Sequence, residues 1–226
     1  KKTIRPPSSY YMPRTKVIEV ENTHNVAGGV VHPIENIKAL RELAENKNLK
    51  MHLDGARLWN ASIASGISVS EYSSHFDTVS VCISKGLGAP VGSVILGEKD
   101  MIEEAFRMRK AWGGGMRQIG ILSAAAIYAI ENNFERLSID HQNAKDLAEH
   151  LANIDTVEID KSLVHTNILM FKPLKLSVDE VISKAKEYGL LLGTGGVGYV
   201  RSVTHLDVNE ENIQQAKKIL SEILAN

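Results

Sequence analysis

Cysteine is almost missing from the 226-residue sequence, where Cys82 stands alone. A single thiol excludes an internal disulfide and any zinc cluster built on several thiolates, so the expected setting is a reducing cytoplasm. An excess of either charge is missing too, with 26 Lys and Arg against 27 Asp and Glu. No overall field then attracts nucleic acid or an anionic membrane surface, and neither is expected as a partner. No apolar run approaches the roughly 18 residues of a membrane span, and "KKTIRPPSSYYMP" lacks the apolar core of a secretory signal, so no export is expected. Histidines such as His24, His32 and His52 show no helical pair or metal-ligand spacing, so no metal site is expected. What the chain does have is 43% hydrophobic residues over a length that suits one large or two modest domains, ample for a core.

Periodicity organises the chain. "TKVIEVENTHN" alternates like a strand and runs into polar loop residues, a helix pattern follows over 34–46, and "KMHLD" is a short strand. "GARLWNASIASG" reads as a helix, and "DTVSVCIS" and "GSVILG" read as strands flanking "KGLGAPV". Strands separated by helices predict a mainly parallel sheet. "KDMIEEAFRMRKAW" and "QIGILSAAAIYAIENN" read as helices on either side of a triple glycine; the second is apolar nearly all round and is expected to be buried. After a further helix over about 134–152, short strands at "TVEID", "NILMFK" and "YVRSVTH" alternate with helices at "SVDEVISKAKEYG" and "NEENIQQAKKILSEILAN", which suggests a separate small α/β unit.

Four charged residues fall at the ends of predicted elements, where α/β sheets present ligand-binding groups. Asp54 ends a strand before a helix and reads either as a helix N-cap or as a functional carboxylate. Arg57 lies one helical turn on and reads by itself as a surface ion pair with Asp54. Lys85 sits between segments expected to be buried; burial lowers a lysine pKa and frees its amine for a Schiff base. Arg201 is the fourth. A lysine, a carboxylate and cations together suit pyridoxal phosphate, which needs an amine for its aldehyde, an acid beside its pyridine nitrogen and cations or amides for its phosphate. "GTGGVG" has the spacing of a dinucleotide fingerprint at Gly193, Gly195 and Gly198, but a strand pattern follows where a helix is required, so a hairpin turn that aims Arg201 is expected.

"ENTHN", "HLDGAR", "SKGLGAPVGS", "GGGMRQ" and "VRSVTHLDV", in that order, resemble the low-specificity L-threonine aldolases among the fold type I pyridoxal phosphate enzymes, over nearly the whole chain. The resemblance implies that Lys85 carries the cofactor, Asp54 pairs with its pyridine nitrogen, Arg57 lies beside its phenolic oxygen and Arg201 grips the substrate α-carboxylate as a bidentate fork. It implies that Lys110 and Arg117, bracketing the triple glycine, approach the cofactor phosphate from a neighbouring subunit; a helix-terminal lysine and a surface arginine are the plain alternative. His24 lines the pocket or is a hydrogen-bonded structural histidine. The implied fold is a mainly parallel sheet flanked by helices, as the C-terminal portion of the cofactor-binding large domain (1–135), followed by a small α/β domain (136–226).

Members of that family begin with roughly another hundred residues, about a half-domain. The chain is therefore expected to be a C-terminal part whose N-terminal portion is supplied by another polypeptide, after cleavage or gene splitting, or is missing from this sequence, because a sheet without those strands leaves edges and apolar faces bare. The expected activity is cleavage of L-threonine or L-allo-threonine, a small amino-acid substrate, to glycine and acetaldehyde, in a homodimer or dimer of dimers. The alternatives are another fold type I lyase, whether β-eliminating or serine hydroxymethyltransferase-like, and a noncatalytic subunit.

Overall fold

Alternating apolar residues form the strands that the periodicity predicts. β1 (Val17–Glu21), β2 (Lys50–Gly55) and β3 (Thr78–Cys82) run parallel, and β4 (Ser93–Gly97) returns antiparallel to β3, in the order β1-β2-β3-β4. These elements come from a computed structural model that describes residues 3–5 and 10–225, so the reading of "KKTIRPPSSYYMP" falls partly outside the described residues. Parallel pairing puts the C-terminal ends of β1, β2 and β3 along one edge, with Glu21 opposite Asp54 and Asp54 opposite Ser80.

Helices α1 (Ile34–Asn46), α2 (Leu58–Ser65) and α3 (Val69–Ser73) cover this sheet. Ile34 and Ile37 sit three residues apart on one face of α1 and pack with Leu53, Leu58, Tyr72, Val79 and Val81. Each such aliphatic side chain, fully buried, contributes about 1.5–3 kcal/mol. Gly55 is fixed by close approach: a Cβ there would lie 2.7 Å from Ser80 O on the neighbouring strand.

A second sheet, all antiparallel, has the order β5-β6-β8-β7: β5 (Val157–Glu158), β6 (Ile168–Pro173), β7 (Gly193–Thr194) and β8 (Val200–Val203). Helices α6 (Leu137–Leu151), α7 (Val178–Glu187) and α8 (Glu210–Leu224) pack on it through Leu147, Leu151, Phe171, Val181, Leu220 and Ile223. Capping boxes start α7 at Ser177 and α8 at Asn209 and satisfy otherwise open amides. The "GTGGVG" stretch is the hairpin expected, with β7 paired to β8 and Gly195 N–H donating to Tyr199 O at 2.8 Å. The fold class expected from the sequence, a mainly parallel sheet with helices and a smaller α/β unit, is the one observed.

One expectation is overturned. α5 (Gly120–Asn133) buries only Ala126 and Ala129, while Ile121, Ile127 and Tyr128 are exposed. Its two alanines pack in one cluster with Leu87 and Ala89, and no described residue covers Ile121, Ile127 and Tyr128. α4 (Lys99–Ala111) has no buried residue, and all five residues of β4 are exposed. Apolar composition describes what a surface needs, and burial further requires a partner for it.

Hydrogen bonds join the two sheets. Asn60 on α2 donates to His141 Nε2 on α6 at 3.0 Å, Thr166 Oγ1 donates to Gly29 O at 2.8 Å, and Val31 N–H donates to His165 Nδ1 at 3.1 Å. Gly29 has φ of 75°, and a Cβ there would meet Thr166 Oγ1 at 2.7 Å, so this contact requires glycine.

Candidate functional site

Lys85 follows β3 in a tightly held turn. Gly88 N–H donates to Lys85 O at 2.9 Å, Ala89 N–H to Ile83 O at 3.0 Å, and Asn133 Nδ2 on α5 to Leu87 O at 2.7 Å. Trp59 Nε1–H donates to Cys82 O, at the end of β3, at 2.8 Å. Ile83, Leu87 and Ala89 are buried as expected, but Lys85 itself is exposed. That corrects the expectation of a buried ammonium: alternate residues of the turn point into the core, and Ser84, Lys85, Gly88 and Pro90 point out. The backbone is rigid, and the amine has no partner among the described residues.

Asp54 is half-buried at the end of β2, opposite Ser80 on the strand that leads to Lys85. It is not a helix cap: α2 starts at Leu58 with Arg57 in the N-cap position and no side-chain cap bond. Asp54 Oδ1 accepts from Ala56 N–H at 2.9 Å, and its other oxygen has no protein partner among the described residues. The Asp54–Arg57 ion pair read from the spacing does not form either. Arg57 turns away to Asn25.

Asn25, in the loop after β1, joins arginines that are 144 residues apart in sequence. Its Oδ1 accepts from Arg57 Nη1 at 3.2 Å and from Arg201 Nη1 on β8 at 3.3 Å. Burial, and then the charge of Arg201, push the Arg57 pKa down, partly offset by Glu21. Arg201 Nε is buried without a hydrogen-bond partner. Two like charges held by one neutral acceptor, with an N–H left over, form a cradle that an anion would complete.

Asn25 was not singled out from the sequence. Its one local signal is its place in "ENTHN", beside His24. His24 is held in the turn, where its Nδ1 accepts from Ala27 N–H at 3.1 Å and its Nε2 lies 3.7 Å from Glu21 Oε2. Lys110 lies in the last turn of α4 and Arg117 two residues after the triple glycine; both are exposed, and neither bonds to Asp54, Arg57, Lys85 or Arg201. Arg57 and Arg201 thus meet on Asn25 beyond the end of β1, Asp54 lies at the end of the neighbouring β2, and Lys85 follows three residues after β3.

The architecture is that of the fold type I pyridoxal phosphate enzymes. A threonine aldolase from Leishmania major superposes with a TM-score of 0.80 at 18% identity over 96% of this chain and 64% of that one. Ornithine aminotransferase from Toxoplasma gondii, whose structure in the presence of oxidised glutathione shows partial occupancy of PLP at its active site, gives a TM-score of 0.63 at 19% identity over 92% of this chain and 50% of that one. Residues 1–173 match the beta-eliminating lyase family, and the chain belongs to that family. It is similar to low-specificity L-threonine aldolase 1 of Arabidopsis thaliana, 41% identical over 211 residues, which are 92% of this chain and 59% of that protein. The resemblance drawn from the five motifs is borne out, and the chain spans about three-fifths of the length of such relatives. No helix among the described residues is long and apolar enough to cross a membrane.

The residues present fit pyridoxal phosphate. Lys85 offers an unpaired amine on a fixed turn, Asp54 an unpartnered carboxylate oxygen, and Arg57 a guanidinium on the same strand edge.

Proposed function

We propose that this chain carries the lysine, the aspartate and the carboxylate-binding arginine of a pyridoxal phosphate-dependent aldolase that cleaves L-threonine or L-allo-threonine to glycine and acetaldehyde. The observation that carries this reading is the convergence of Arg57 and Arg201 on Asn25 Oδ1, at 3.2 and 3.3 Å, along the edge that ends in Asp54 and leads to Lys85. Pyridoxal phosphate bound there would supply an electron sink for the pair released when Cα–Cβ breaks. The chain's own groups do the rest. Lys85 would hold the cofactor through its amine, which has no partner among the described residues. The free oxygen of Asp54 would keep the pyridine nitrogen protonated, and Arg57, held beside Arg201 by Asn25, would stabilise charge on the phenolic oxygen and on the carboxylate that Arg201 binds. Arg201 binds the α-carboxylate with its open N–H groups and so sets which substituent bond is aligned for cleavage.

The apolar faces of α4, α5 and β4 support a second part of this reading. In the working enzyme they are covered by the N-terminal portion of the same enzyme and by further copies, in a homodimer or dimer of dimers. Lys110 and Arg117 would there serve a neighbouring site, reaching its cofactor phosphate.

The test is borohydride reduction of the purified sample followed by peptide mass mapping. A phosphopyridoxyl mass on Lys85, with peptides of an N-terminal portion present, is expected; an unmodified Lys85 with that portion and cofactor both supplied refutes the assignment. Membership of the beta-eliminating lyase family favours one second reading, β-elimination from the same lysine and aspartate. Product analysis separates the two, since glycine with an aldehyde marks aldol cleavage and pyruvate with ammonia marks elimination.

A further inference from the structure

Asn25 is neutral at a position where a carboxylate would bind its neighbours more strongly. An Asp there would form two charge-assisted bonds with Arg57 and Arg201 and cancel much of their charge. The amide oxygen holds both guanidiniums, at 3.2 and 3.3 Å, and leaves both charges standing. Asn25 is itself fixed, because its N–H donates to Glu21 Oε1 and its carbonyl accepts from Gly28 N–H, each at 3.1 Å. The ionisable groups around Arg57, besides Arg201, are Glu21, engaged with Asn25 N–H and near His24, Asp54, engaged with Ala56 N–H, and Cys82. The buried Arg201 Nε without a partner is an independent sign that something else completes the cradle.

We infer that Asn25 is a positioning residue that holds Arg57 and Arg201 as a two-guanidinium cradle and, by carrying no charge, reserves that cradle for the carboxylate of a small amino acid. This rests on the amino-acid-cleaving reading of the site. An internal carboxylate would compete with the ligand; an apolar residue would leave two like charges to drift apart.

The experiment compares Asn25→Asp and Asn25→Ala with wild type as assembled holoenzyme, using glycine as the probe. Glycine affinity is read by calorimetry, and the thermal midpoint is read without glycine. Asn25→Asp should weaken glycine binding on the order of tenfold or more, with a midpoint equal to or above that of wild type. Asn25→Ala should weaken binding by a smaller factor, about threefold, with a lower midpoint. Affinity and stability moving in opposite directions in the Asp variant is the signature that a purely structural role would not give. The inference is overturned if Asn25→Asp binds glycine as wild type does, or loses affinity and midpoint together. Failure of the wild-type holoenzyme to bind glycine would overturn the aldolase reading itself, which is a different result.

Discussion

His141 makes the junction between the two sheets sensitive to acid. Burial, and then the charge of Lys145, push its pKa down from 6.5 to about 4. At neutral pH the ring is therefore uncharged, and its Nε2 accepts the hydrogen bond from Asn60 Nδ2 at 3.0 Å. Below pH 6.5 the unfolded chain takes up a proton that the folded chain refuses, so stability falls as pH drops and levels off near pH 4. Between pH 7 and pH 5 this one group costs about 2 kcal/mol of folding stability. The perturbation is His141→Gln, whose amide oxygen can take the place of Nε2 and cannot titrate. Urea unfolding of the assembled protein at both pH values is the assay. Wild type should lose about 2 kcal/mol more than the variant over that interval; parallel losses in the two proteins would refute the reasoning.

Two further predictions concern the first sheet. Gly55→Ala places a Cβ 2.7 Å from Ser80 O and should cost about 1–3 kcal/mol, displacing Asp54 and Arg57 so that cofactor retention falls with stability; unchanged cofactor content in dialysed protein would contradict this. Burial pushes the Asp77 pKa up, but hydrogen bonds from Lys50, Met51 N–H and Arg41 outweigh it and hold the pKa at about 2. Because the folded pKa lies below the unfolded one, the stabilisation is present above about pH 4 and is lost as pH falls towards 2. Asp77→Asn should therefore cost about 2 kcal/mol at pH 7 and progressively less as pH approaches 2; an equal deficit at pH 7 and pH 3, by denaturant titration, would count against it.

Local patterns carried the strands and helices because side-chain periodicity and backbone geometry are properties of short windows. The β7–β8 hairpin was legible for the same reason, since a strand pattern follows its glycines. Contacts across the fold were not legible. Whether the apolar girth of α5 is buried depends on surfaces that no window contains, and Lys85 points outward although its neighbours point in. Asn25 lies 29 residues before Asp54 and 176 before Arg201, so only the parallel register of β1 and β2 and the packing of β8 reveal what it does.

The loop after β1 is tied at both ends of its course. Asn22 N–H donates to Asp54 O and Asn22 Oδ1 accepts from His32 N–H on the first-sheet side, while Gly29 O and Val31 N–H engage Thr166 and His165 on the other. Residues 22–32 thus work like a gauge block clamped between two machine parts: the distance between the arginines is a dimension of the joint. A chain that lengthened or shortened this loop would hold the same two arginines at a different spacing.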